Sequence, residues 1–241
     1  MILPNFKIVS LCDAEMEFSG SDSIEDCNNK SHFLNYPYKI SYRYNSRGFR
    51  DTEWPNNLED CIWCFGDSYT VGIGQSYKNT WPKLLETKTG IRTISLSMDG
   101  ASNEWISRKI LELVETIKPK AIVVQWSFIH RRERELLPGE IDSDENRIVW
   151  YNKDSTDEDD IQNTLDCIMS TESACANAGI KLIHSVIPGF MKDQGSGEFL
   201  SNLIKLVKNC VPLFRLDYAR DGLHYDVKTS KVFVENLIKV I

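Results

Sequence analysis

The segment Ala121-Ile-Val-Val-Gln-Trp126 sets the fold class. It has the length of a strand, it is rich in β-branched residues, and it does not alternate between apolar and polar. Both faces must therefore be covered, as in a parallel sheet with helices on either side. The apolar run at 62–65 and the segments at 91–96, 181–186 and 213–216 read as further strands. Between them lie segments of helical period. Residues 77–89 place Trp81, Leu84 and Leu85 inward, and residues 103–117 repeat Ile106, Ile110, Leu113 and Ile117. Residues 161–178 follow Thr156 with Asp159 three positions later, a capping-box signature in an acidic first turn that suits the helix dipole. Helices over 199–209 and 227–240 complete the series. The expectation is an α/β fold, a flavodoxin-like three-layer α/β/α sandwich with a mainly parallel five-stranded sheet. Ligands of such folds gather outside the carboxyl ends of the strands, where Ser68, Gly100, Trp126 and Asp221 would converge.

The apolar run 62–65 is broken by Gly66 and followed by Asp67-Ser68-Tyr69-Thr70, which puts Ser68 where the chain leaves the sheet and enters a helix. A hydroxyl at that bend is exposed above the sheet edge, with nearby N–H groups able to face a developing negative charge. Serine needs a base. Asp221-Gly-Leu-His224 offers one, with Gly222 leaving the backbone free to turn both side chains to one point. His224 would take the Ser68 proton while Asp221 fixes the imidazole tautomer and offsets its charge. Asp67, next to Ser68, reads as a tie for the tight turn rather than as the acid of the relay.

Gly66-Asp67-Ser68-Tyr69-Thr70 resembles the first block of the GDSL/SGNH esterases, and Asp221-Gly-Leu-His224 resembles their final block. The resemblance covers residues 43–241. It implies a Ser68, Asp221 and His224 triad and an oxyanion hole built from the N–H groups of Ser68 and Gly100, the latter in Asp99-Gly-Ala-Ser-Asn103. No Gly-x-Asn-Asp motif follows the strand ending at Trp126, where Gln125-Trp-Ser-Phe-Ile-His-Arg-Arg-Glu133 stands instead. The family's asparagine donor is missing there. Asn103, Gln125 and Ser127 are the candidates to replace it, Asn103 first, although that position also suits a helix cap.

Residues 1–42 carry little periodicity and read as an irregular extension packed on the core, with an optional strand at 8–11 and turns at Gly20-Ser-Asp-Ser and Cys27-Asn-Asn-Lys-Ser. Residues 36–44 read as extended chain. Arg47 and Arg50 stand open between an anionic substrate group and loop pairing. Residues 130–160 form an insertion too long for an ordinary connection, placed to be a lid, a subunit contact or a passive loop. Within it His130 and Arg131 are candidate substrate contacts. Arg131, Arg132 and Glu133 equally suit a charge network that positions the loop. Trp126, Trp150 and Tyr151 could wall a sugar site or pack internally.

With 35 acidic against 28 basic residues, the formal charge is −7, which argues against a nucleic-acid backbone as partner. No apolar run approaches the roughly 20 residues of a membrane helix, and residues 1–7 lack the pattern of a secretory leader. No membrane partner and a cytoplasmic location are expected. Seven cysteines show no compact ligand grouping, and Cys61 and Cys64 flank one buried strand, so buried thiols are expected and no metal or cofactor. Oligomeric state leaves no mark on the sequence. The reading is a serine esterase hydrolysing O-acyl esters of small molecules or carbohydrates. Its alternative is an inactive SGNH-like carbohydrate-binding or assembly protein.

Overall fold

The computed structural model describes residues 4–149, 155–188 and 205–241. In chain order the elements are β1 (Glu15–Met16), α1 (Lys30–Asn35), β2 (Tyr42–Arg43), β3 (Ile62–Gly66), α2 (Ser68–Val71), α3 (Trp81–Thr89), β4 (Thr93–Ser97), α4 (Asn103–Val114), β5 (Ala121–Trp126), β6 (Arg132–Glu133), α5 (Asp144–Arg147), β7 (Ile148–Val149), α6 (Asp157–Ala178), β8 (Leu182–Val186) and α7 (Val227–Leu237). The central sheet is parallel and runs β4-β3-β5-β8, with Ile62 beside Thr93 and Ala121, and Ile122 beside Leu182. Every residue of these four strands is buried; β3 and β5 are nearly continuous apolar runs, whereas β4 and β8 also bury Thr93, Ser95, Ser97, His184 and Ser185.

The chain steps from β3 outward to β4, then back across β3 to β5. Right-handed crossovers therefore put α3 on one face and α4 on the other. The helix packing agrees, with α3 against α7 and α4 against α6. Trp63, Trp81, Trp105 and Trp126 are fully buried in the resulting core. Along α4, Trp105, Ile106, Ile110 and Leu113 face inward, as the sequence period requires. The expected capping box at the start of α6 is present, with Thr156 and Asp159 each accepting from the other's backbone.

Three expectations change. The fifth strand at 213–216 does not form: among the described residues the sheet has four strands. Instead Cys210 makes a single parallel bridge to His184, with the Val211 N–H on the His184 carbonyl, and no further pairing follows among the described residues. Residues 9–11 form a turn of 3-10 helix rather than an added strand. Of the extended stretch 36–44 only Tyr42 and Arg43 pair, antiparallel to Glu15 and Met16. The expected helix over 199–209 begins outside the described residues.

The insertion is tied down where it is described. β6 and β7 pair antiparallel around α5. Arg108 of α4 reaches Glu133 at 2.6 Å and Asp144 at 3.0 Å, and Arg132 reaches Asp160 at 2.9 Å and Glu104 at 3.3 Å. Arg132 and Glu133 thus fasten this segment to α4 and α6, whereas Arg131 turns inward. Trp150 and Tyr151 lie outside the described residues. Among the described residues no helix is long and apolar enough to cross a membrane.

Candidate active site

Ser68 is the first residue of α2, directly after β3. The chain turns there because Asp67 caps the helix, its Oδ1 accepting from the Tyr69 N–H at 3.0 Å. Glycine at 66 is required by packing: a Cβ there would lie 2.1 Å from Thr70 Oγ1 and 3.0 Å from the Gln125 carbonyl oxygen. The other Asp67 oxygen accepts from Ser127 Oγ at 2.8 Å and from Arg131 Nη1 at 2.7 Å. Asp67 is therefore a structural tie between the Ser68 turn and the exit of β5.

The loop before α7 brings its imidazole to the same place. Ser68 Oγ lies 2.8 Å from His224 Nε2, and His224 Nδ1 lies 2.6 Å from Asp221 Oδ2. With Nδ1 donating to the carboxylate, Nε2 is left to accept the Ser68 proton. Asp221 Oδ1 accepts from the backbone N–H groups of Leu223 and His224, each at 3.0 Å, so the carboxylate folds back onto its own turn. Burial alone would raise this carboxyl. The hydrogen bond and charge of His224, with further donors from Ser21 and Leu223, outweigh burial and hold it down at about 2. The ring of Tyr69 packs 4.4 Å from that of His224.

A pocket of about 370 Å³ opens on this relay, lined by Ser68, His224, Tyr69, Phe128, Leu223, Arg131, Asp99 and three residues from the N-terminal segment, Gly20, Ser21 and Asp26. Burial raises the Asp99 carboxyl, against the charges of His224 and Arg131 and an N–H bond from Gly100. A larger cavity of about 660 Å³ lies against Tyr44, Asp51 and Tyr77; Ser68, Asp221 and His224 do not line it.

The three candidates for a further oxyanion donor are all engaged elsewhere. Asn103 is fully buried; its Nδ2 donates to the Ser127 carbonyl at 3.1 Å and to Thr164 Oγ1 at 3.2 Å, and its Oδ1 accepts from the Ser127 N–H at 2.7 Å. Both amide hydrogens are spent on the β5 exit loop and α6, and the helix cap is Ser102 rather than Asn103. Ser127 gives its hydroxyl to Asp67, and Gln125 is bonded to Thr70 and Tyr225. Trp126 is no substrate wall either. It is fully buried, with Nε1 donating to His184 Nδ1 at 3.0 Å, because its strand position points it into the layer beneath the sheet. His130 stands beside Phe128, ring centroids 5.5 Å apart, just outside the pocket lining.

Arg50 is buried among backbone carbonyls and holds those of Val71, Gly72 and Gln75, bracing the loop after α2. Arg47 stacks over Trp54. Neither lines the pocket. All seven cysteines are free thiols, and no cluster of metal-ligating side chains occurs among the described residues. The sequence reading missed the approach of Ser21 and Asp26. It identified Gly20-Ser-Asp-Ser as a turn, and nothing local says where that turn lands.

No protein-family model matches the sequence, and no curated protein sequence matches it. Solved structures do. One is a candidate lipolytic protein of the G-D-S-L family from Desulfitobacterium hafniense DCB-2, 14% identical, with TM-score 0.52, covering 76% of this chain and 99% of that one. A candidate acylhydrolase from Bacteroides fragilis NCTC 9343 is 17% identical, with TM-score 0.52 and coverage of 78% and 89%. A family two carbohydrate esterase from Clostridium thermocellum, solved with cellohexaose, is 14% identical, with TM-score 0.50 and coverage of 78% and 65%. The likeness is one of fold: the chain has the architecture found in these GDSL/SGNH hydrolases.

Proposed function

We propose that this chain, built on the SGNH-hydrolase fold, is a serine esterase that cleaves O-acyl esters, with acetylated carbohydrate as the favoured substrate class. The observation that carries the reading is the relay itself, 2.8 Å from Ser68 to His224 and 2.6 Å from His224 to Asp221, at the floor of a pocket large enough for an acyl group. The carbohydrate element is supported by the esterase structure holding cellohexaose.

In this mechanism Ser68 Oγ attacks the ester carbonyl carbon as His224 Nε2 takes its proton. Negative charge gathers on the former carbonyl oxygen, toward the N–H groups of Ser68 and Gly100, with the Arg131 cation on the same pocket wall. Collapse of the tetrahedral intermediate breaks the bond to the alcohol, which leaves with the proton from His224. Water, deprotonated at His224, then attacks the acyl group on Ser68, and the second collapse frees the acid and restores the serine. Arg131 and, beyond Phe128, His130 are the proposed substrate contacts.

A binding-only reading draws on one observation, the engagement of the Asn103, Gln125 and Ser127 side-chain donors with other partners. A serine-directed phosphonate label followed by digestion and mass measurement separates the two. Esterase chemistry predicts label on Ser68 of the wild type, none on Ser68→Ala, and loss of p-nitrophenyl acetate and acetylated-sugar turnover in both Ser68→Ala and His224→Ala. Equal hydrolysis by wild type and Ser68→Ala would overturn the reading.

A further inference from the structure

We infer that Ser21, in the N-terminal extension, is a positioning residue of the triad, so that a turn inserted from the far end of the sequence completes the active site. The inference rests on the esterase reading and concerns how Asp221 is held. Ser21 Oγ donates to Asp221 Oδ2 at 2.6 Å, and this is the same oxygen that accepts from His224 Nδ1. Hydrogen bonds to an ionised carboxylate are the strong ones, and they constrain direction as well as distance. With Leu223 and His224 N–H on Oδ1 and Ser21 on Oδ2, the carboxylate cannot rotate about its own bond without breaking a contact at each oxygen.

The turn that carries Ser21 is built to sit there. Ser19 and Asp22 close it through the Asp22 N–H to Ser19 carbonyl bond at 3.1 Å. Gly20 takes φ +56, and a Cβ on it would lie 2.3 Å from Asp99 Oδ2, so glycine is demanded both by the backbone and by the close approach to the pocket. The next residue, Asp22, is fully buried and grips Arg220 with both oxygens, Nε to Oδ1 at 2.8 Å and Nη2 to Oδ2 at 2.7 Å. Two successive residues of the turn, Ser21 and Asp22, thus meet two successive residues of the catalytic loop, Asp221 and Arg220. Tyr42 OH adds a bond to Asp22 Oδ2 at 2.6 Å, Ser19 Oγ meets Tyr44 OH at 2.9 Å, and the Asn28 N–H reaches the Asp221 carbonyl at 3.2 Å. These contacts anchor the turn independently of Ser21, so removing one hydroxyl tests positioning without releasing the segment.

The experiment uses Ser21→Ala and Ser21→Thr in the full chain. Ser21→Ala should lower kcat about tenfold, the scale of one charge-assisted hydrogen bond, with KM nearly unchanged. The pH at which Asp221 takes its proton should rise, because the carboxylate loses a donor that favours its ionised form. Ser21→Thr, which keeps the hydroxyl, should recover most of the rate. A second readout needs no turnover: the downfield proton resonance of His224 Nδ1–H should shift in Ser21→Ala and return in Ser21→Thr. If Ser21→Ala does not fold, Ser21→Cys, whose thiol is a weak donor, takes its place: a displaced resonance supports the inference and a wild-type one overturns it. Unchanged kcat, pH profile and resonance in Ser21→Ala would overturn the inference, as would a loss confined to KM. A wild type inert toward esters and the phosphonate, with the resonance still displaced by Ser21→Ala, would strike the esterase reading while leaving the positioning of Asp221 intact.

Discussion

Replacing Asn103 separates a structural tether from an oxyanion donor, because the two roles predict opposite balances of stability and rate. The side chain is fully buried and makes three hydrogen bonds, two to the backbone of Ser127 and one to Thr164. At about 1 kcal/mol net for each, Asn103→Ala should cost about 3 kcal/mol, since Ser127 is left with unmet groups in a dry place. With a urea slope of about 3 kcal/mol/M, the midpoint falls by about 1 M. Asn103→Asp should cost at least as much. It can still accept from the Ser127 N–H, but it sets a carboxylate oxygen against the Ser127 carbonyl and against Thr164, close to the Asp67 carboxylate that already binds Ser127. Urea unfolding gives the stability, and phosphonate titration gives the rate per competent serine. That rate should stay within about threefold of wild type in both variants, whereas loss of an oxyanion donor costs roughly 10²- to 10³-fold. Wild-type midpoints together with a hundredfold loss of rate would refute the tether and return Asn103 to the oxyanion hole.

Asp221 links stability to acid. Its folded pKa of about 2 lies below the unfolded carboxylate value of about 3.9, so its contribution is complete above the unfolded value and is lost as pH falls through the folded one. The stability gap between wild type and Asp221→Asn should therefore shrink by about 2 kcal/mol between about pH 5 and pH 2; urea midpoints that keep a constant gap across that window contradict the assignment. Arg50→Lys should cost about 2 kcal/mol in chemical denaturation, since one ammonium cannot span the carbonyls of Val71, Gly72 and Gln75, and a wild-type midpoint would deny Arg50 its bracing role. Gly66→Ala should cost about 3 kcal/mol and reduce phosphonate labelling of Ser68, because the added Cβ overlaps Thr70 Oγ1; normal stability with full labelling would show that the turn adapts.

The sequence by itself determined the features that depend on neighbours along the chain. The buried strands β3 and β5 are legible as nearly continuous apolar runs, the mark of a strand covered on both faces, and β4 and β8 as short segments rich in Ile, Leu and Val between helical ones. The start of α6 is legible because a capping box is closed by residues three apart. Ser68 stood out as a hydroxyl at a strand-to-helix bend, and Asp221 with His224 as an acid and a base sharing one tight turn. Tertiary structure decided what depends on distant partners. The spacing that placed Asn103 at the start of a helix could not say that Ser127 and Thr164 would claim its amide from 24 and 61 residues away. Trp126 reads the same whether its ring meets a sugar or His184, since strand alternation fixes a face but not what lies against it. The strand expected at 213–216 is replaced by one bridge between Cys210 and His184, because apolar residues suit burial without fixing which backbone they pair with. The Ser21 turn was visible as a turn, yet its destination, Asp221, lies 200 residues away. A hydrogen bond over that separation is chosen only when the whole chain has packed, and local propensity carries no trace of it.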